Sequence, residues 1–227
     1  MAEALGATLS LAGATRTPLA VPHRVGGFGG VAGLVDYLKR QGSTGVIDAT
    51  HPFAAQMSQN AYAACAALGL PLLRLQRAPW TEDSDWCVVA NLSVAAQVIP
   101  TGARVFLSVG RQSVLPFLAR RDVWFLTRSI EPAAKLPTHG EAILQRPPYG
   151  LEGERALMVR HAITHLVSKN AGGVATSAKL TAAKQLGVRV IMVERPALPE
   201  VSTVETVADA VAWAEVLGCG TGSPRSR

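Results

Sequence analysis

Three times along this chain a short apolar run stops abruptly in polar or basic residues and then meets glycine or proline. The first is Gly45-Val-Ile-Asp-Ala-Thr-His-Pro-Phe-Ala54. The second is Arg104–Val109 running into Gly110-Arg111-Gln112, and the third is Leu166-Val167 running into Ser168-Lys169-Asn170-Ala171-Gly172-Gly173. Apolar runs without alternation suit strands buried on both faces of a parallel sheet. In open α/β sheets, ligands bind where strands end and the next helices begin. Polar residues repeated at that edge therefore point to a site.

The rest of the chain alternates in the same way. Strands are predicted over 7–12, 45–48, 71–76, 86–90, 104–109, 123–127, 164–168 and 189–193. Helices are predicted over 33–40, 53–68, 93–99, 152–160, 176–186 and 204–217, with Gly69 as the glycine that ends the second of them. Strands alternating with helices argue for parallel sheets built from βα units. The expected fold is α/β, with two Rossmann-like parallel-sheet domains and a cleft between them. Pro100-Thr-Gly102 marks the expected boundary, giving a first domain over 1–101 and a second over 102–219, with a disordered tail over 220–227.

Composition narrows the function. Apolar residues make up 48% and charged residues 17%, as in ordinary globular proteins. No apolar run approaches the ~18 residues that span a bilayer, and no signal peptide opens the chain. Three separated cysteines, Cys65, Cys87 and Cys219, give neither a disulfide framework nor a metal pattern. A cytoplasmic protein without membrane or metal partners is expected. The formal charge of +6 comes from dispersed arginines and lysines, with only Arg120–Arg121 adjacent among the arginines. A nucleic-acid binder concentrates such residues in a stripe, so a small polyanionic ligand fits better than a duplex. General surface charge explains many of them equally well.

Each motif admits two readings. Asp48, Thr50 and His51 could form a general acid/base group, or Thr50 could cap the following helix with Asp48 positioning His51. Gly27, Gly29 and Gly33 follow GxGxxxG spacing, which is not the dinucleotide fingerprint, and the two prolines before them make a poor central strand. A loop that lets backbone approach a ligand is the alternative. His161 and His165 are spaced HxxxH but straddle a helix end and a strand start, so structural roles are expected for both.

Taken together, several motifs resemble one family, the precorrin-6A reductases of cobalamin biosynthesis. The resemblance runs through Ser10-Leu-Ala-Gly13, Arg24-Val-Gly-Gly-Phe-Gly-Gly30 and Val46–Ala54. It continues through Arg74-Leu-Gln-Arg77 with Trp80, Val109-Gly-Arg-Gln112, Val167–Gly173 with Lys179, and Val193-Glu-Arg-Pro196. It implies a two-domain reductase that uses NADPH to reduce one double bond of precorrin-6A, giving precorrin-6B. That substrate is a polycarboxylate tetrapyrrole, which gives the scattered arginines a purpose.

The resemblance also implies roles for residues. His51 would be the proton donor or a hydrogen-bond partner of the substrate, with Asp48 and Thr50 beside it. Ser10, Gly13, Arg16, Gly27 and Gly29 would hold the cofactor. Arg74, Arg77, Arg111, Gln112, Lys169 and Asn170 would hold substrate carboxylates or cofactor phosphates. Two alternatives stand beside this reading: an NADH-using cobalt-precorrin-6A reductase, and a non-catalytic tetrapyrrole-binding protein. The family opens with a strand and a Gly-Gly-Thr turn, whereas this sequence begins Met1-Ala-Glu-Ala-Leu-Gly6, as if late in a helix. A natural chain extending upstream of Met1 is therefore expected.

Overall fold

A computed structural model describes residues 7–11, 23–132 and 135–220, and these divide into two compact units. The first comprises the described residues up to Arg77 together with those from Ala197 onward, and the second runs from Ala78 to Pro196. Gly13, Arg16 and the expected tail at 221–227 lie outside the described residues.

The first unit holds β1 (Leu9–Leu11), β2 (His23–Val25), α1 (Gly30–Gln41), β3 (Val46–Asp48), α2 (Ala55–Leu68) and β4 (Leu72–Leu75). The returning chain adds β11 (Ser202–Val204) and α6 (Val207–Gly220). β1 pairs with β2, and β11, β4 and β3 form a second sheet in that order, all in parallel. Leu34 and Leu38 of α1 pack against Ala61 and Ala64 of α2, whose small side chains let the helices approach closely. Gly69 ends α2 at φ 63, a left-handed conformation that favours glycine, as expected from the sequence.

The second unit holds β5 (Cys87–Val89), α3 (Leu92–Val98), β6 (Arg104–Ser108), β7 (Trp124–Ser129), β8 (Gly140–Leu144), α4 (Leu151–Arg160), β9 (His165–Lys169), α5 (Ala178–Leu186) and β10 (Arg189–Val193). Its sheet is six-stranded and parallel throughout, in the order β5-β10-β9-β6-β7-β8. Phe106, Leu126, Leu166, Val190 and Met192 of the sheet pack with Met158 of α4 and Ala182 and Ala183 of α5. The near-continuous apolar strands read from the sequence are those buried here.

Two expectations need correction. The expected boundary at 101/102 falls inside the second unit, because Cys87, Val88 and Val89 pair with Ile191, Met192 and Val193. The stretch expected to make a poor central strand ends in β2, which pairs with β1 alone among the described residues and feeds the glycine loop and α1. β8 and β11 were not expected. Both are mostly exposed edge strands, so neither carries the apolar run by which buried strands are recognised.

Candidate active site

In the second unit the connections run from β6 to β7 to β8 on one side and from β9 to β10 on the other. The order of strands therefore reverses between β6 and β9, which are hydrogen-bonded neighbours with Ser108 opposite Ser168. Such a switch point opens a crevice outside the carboxyl ends of the strands, where α/β folds bind ligands. Two of the three polar strand ends seen in the sequence meet here.

The chain leaves β6 through Gly110 (φ 81) into a single tight turn, Arg111–Ser113. It leaves β9 through Gly173 (φ 83) into another, Val174–Thr176. Lys169 ties the two exits together by donating from Nζ to Ser113 Oγ at 2.6 Å. Burial lowers the Lys169 pKa. Arg111 pairs with Glu131 at 3.3 Å, and Gln112 is exposed. Leu115 and Val174, 59% and 89% exposed, stand just beyond the two exits, so the edge combines cations with bare apolar side chains.

Asn170, expected to hold substrate carboxylates or cofactor phosphates, bonds to the chain around it. Its Oδ1 accepts from Trp80 N at 2.8 Å and its Nδ2 donates to Trp80 O at 3.3 Å. Its carbonyl accepts from Arg195 Nε at 2.8 Å. The amide therefore holds the loop to the chain on either side of it, and its bonding is to protein rather than toward a ligand.

In the first unit Asp48 and Arg74 are directly opposite on β3 and β4 and are both buried. Asp48 Oδ1 accepts from Thr50 N at 3.1 Å and Thr50 Oγ1 at 2.7 Å, while Thr50 Oγ1 lies 3.2 Å from Ser58 Oγ. Arg74 Nε is 3.6 Å from Asp48 Oδ2, and Arg74 Nη1 donates to Pro199 O at 3.1 Å. Thr50 thus does not cap α2, whose N-cap is Ala54, and the Asp48 carboxylate orients Thr50 rather than His51. His51 is exposed, with Nδ1 accepting from Phe53 N at 3.2 Å, which makes Nε2 the protonated nitrogen of the neutral ring. Arg77 is exposed at the last position of this unit's first segment.

The glycine loop before α1 is shaped by a residue the sequence reading gave no role. Arg24 Nη1 and Nη2 donate to Gly26 O and Gly27 O, Nη1 reaches Ser10 Oγ at 3.3 Å, and the guanidinium lies 3.9 Å from the Phe28 ring centroid. Gly29 caps α1 at φ 81 without a side-chain bond to the helix amides, and the first turn holds no acid. Among the described residues, a Cβ at Gly26, Gly27 or Gly29 would meet nothing within 4 Å, which leaves this backbone open to an incoming group.

His161 and His165 share no site. The His161 ring stacks on Trp124 and faces Glu141, while His165 Nδ1 contacts Thr164 Oγ1. Among the described residues no three His, Cys, Asp or Glu side chains form a group able to hold a metal.

The family described as precorrin-6x reductase CbiJ/CobK matches residues 1–215. The chain belongs to the precorrin-6x reductase family. It is 46% identical over 214 residues to a precorrin-6A reductase of Rhodobacter capsulatus, covering 91% of this chain and 85% of the relative. A precorrin-6A reductase of Rhodococcus erythropolis is 44% identical over 218 residues, covering 93% and 88%. The solved structure of a CobK precorrin-6A reductase superposes with a TM-score of 0.86 at 45% identity, covering 97% of this chain and 89% of that one. A cobalt-precorrin-6A reductase of Priestia megaterium is 30% identical over 198 residues. Membership makes the protein an oxidoreductase of cobalamin biosynthesis. No helix among its described residues is long and apolar enough to cross a membrane.

Ser108, Ser113 and Lys179 carry no individual role in the expectations drawn from the sequence. A signal for Lys179 was available: it shares the inward face of α5 with Ala182 and Ala183, at the i, i+3, i+4 spacing of a buried stripe. A lysine on such a stripe is an anomaly that propensity alone does not explain.

Proposed function

We propose that the protein reduces one double bond of metal-free precorrin-6A to precorrin-6B, with NADPH as the hydride donor. The observation that carries this reading is the switch-point edge between β6 and β9, where cations and exposed apolar side chains stand together. A flat macrocycle rimmed with carboxylates needs that combination. Arg111 and Lys169 pair with rim carboxylates, charge-assisted contacts that exceed neutral hydrogen bonds in strength. Leu115 and Val174 lie against the ring face, while Gln112 supplies a neutral hydrogen bond. The higher identity to metal-free relatives than to the cobalt relative favours the metal-free substrate.

The glycine loop of the first unit fits a phosphate-bearing cofactor. Open backbone at Gly26, Gly27 and Gly29, uncapped amides at the start of α1 and no acid in its first turn are what an anion requires. Arg24 keeps a positive charge beside Ser10 at this loop, which favours the extra phosphate of NADPH over NADH. Bound there, the cofactor supplies a hydride equivalent. The protein's part is to orient the macrocycle, exclude water and provide a proton for the neighbouring atom.

Initial rates with each nicotinamide, on precorrin-6A and on its cobalt form, test the reading. NADPH with the metal-free substrate is expected to be fastest. Faster turnover of cobalt-precorrin-6A with NADH would replace it by the anaerobic-pathway activity. Tight tetrapyrrole binding without detectable NADPH binding would replace it by a binding protein.

A further inference from the structure

A buried lysine stands at the switch-point edge without an anion of its own. Lys179 is in the first turn of α5 and is 5% exposed. Its Nζ donates to Ser108 Oγ at 3.1 Å and lies 5.2 Å from the Trp80 ring centroid. The charged groups facing it are Arg128 from β7 and Glu154 from α4. The Glu154 carboxylate is already held by both terminal nitrogens of Arg128, at 2.5 and 3.3 Å. Burial, the like charge of Arg128 and the positive end of α5 all oppose a permanent ammonium here. An apolar side chain would serve packing better. The lysine needs a chemical reason.

Ser108 supplies the outlet. A hydroxyl accepts and also donates one hydrogen bond. Because Ser108 Oγ accepts from Lys179, its own hydrogen is directed elsewhere, and no protein acceptor takes it among the described residues. Ser108 is half-buried and ends β6 at the point where the strand order reverses.

We propose that Lys179 and Ser108 form a proton relay that serves the reduction. This relay rests on the reductase reading above. A bound nicotinamide would supply a hydride, with its electron pair, for one atom of the double bond. The neighbouring atom takes the hydroxyl proton of Ser108 as Ser108 takes a proton from the Lys179 ammonium. Lys179 is left as a neutral amine and regains its proton from water. Burial, reinforced by Arg128, pushes the Lys179 pKa down to about 8, which makes the ammonium a competent acid near neutrality. The proton then comes from Ser108 and not from His51.

Two variants and one titration test the relay. Lys179→Met and Ser108→Ala are each expected to lower kcat on the order of 10²-fold, leaving KM nearly unchanged. The loss of wild-type rate above pH 8 should vanish from the residual activity of Lys179→Met, which should melt no lower than wild type. A lower melting temperature with kcat and the alkaline limb retained would make the lysine a tether and overturn the relay. In unliganded protein labelled with 13C at lysine Cε, the Lys179 resonance should titrate near pH 8 and shift in Ser108→Ala. Titration at the ordinary lysine value would overturn the relay without reference to turnover. Wild-type protein that does not oxidise NADPH with precorrin-6A would instead overturn the reductase reading, and the titration alone would decide on the lysine.

Discussion

Asn170 grips Trp80 by both main-chain groups, donating to its carbonyl and accepting from its amide. The same asparagine holds Arg195 through its own carbonyl, and Trp80 Nε1 returns a bond to Gly173 O at 2.9 Å. The loop after β9 is therefore bonded both to the segment that opens the second unit and to the segment that closes it. Asn170→Ala removes both side-chain bonds and leaves the half-buried main-chain groups of Trp80 without them. It should destabilise the protein by roughly 1–3 kcal/mol in chemical denaturation. An unchanged midpoint with weakened substrate binding would return Asn170 to the ligand role first expected of it.

Gly172 is a second anchor of that loop. Its φ is +69, and a Cβ there would lie 1.9 Å from Ala78 O. The obstacle is backbone, so Gly172→Ala forces the loop or the start of the unit to move. A loss of about 2 kcal/mol or more is expected in thermal or denaturant unfolding. A neutral result would show that the loop yields freely.

Arg74, expected to hold a substrate carboxylate or cofactor phosphate, lies beside Asp48, with Nε 3.6 Å from Oδ2. Arg74→Ala strands a buried carboxylate, a change that typically costs about 3–5 kcal/mol. The Asp48→Asn/Arg74→Met double variant should lose less than the two single losses combined. Normal stability in Arg74→Ala together with a raised KM would restore the substrate role.

Arg111 and Lys169 should behave in the opposite way. The Arg111–Glu131 pair is partly exposed, and such pairs contribute little to folding. Single replacement of Arg111 or Lys169 by Ala should weaken substrate binding by on the order of 1–3 kcal/mol, read as KM or Kd. Unchanged constants in both would remove these residues from the site.

Lys179 also makes stability depend on pH. Its pKa in the fold, about 8, lies below the 10.5 of an ordinary lysine. Below pH 8 both folded and unfolded states carry the proton, and burying the charge costs of order 3 kcal/mol. Between about 8 and 10.5 the folded state releases its proton first, so this penalty fades and the contribution of Lys179 to stability rises. The difference in unfolding free energy between wild type and Lys179→Met should therefore shrink across that window. A pH-independent difference would show an ordinary lysine.

Sequence alone determined the α/β alternation, the buried parallel strands and the polar strand ends at Gly110 and Ser168. Those properties are local, since apolar runs, glycine ends and polar exits lie within a few residues of one another. The edge strands β8 and β11 escaped because exposed strands need no apolar pattern. The domain boundary was misjudged because Cys87–Val89 takes its partner from residues about a hundred positions away, at Ile191–Val193. The same reason separates the candidate ligands. Nothing near Arg74 in the sequence announces Asp48 as its partner, and nothing near Lys179 announces Ser108. Which cations are held by partners distant in sequence is set by long-range strand pairing. Only the tertiary structure decided that Arg74 and Asn170 hold the fold while Lys169 and Lys179 stand at the switch point between β6 and β9.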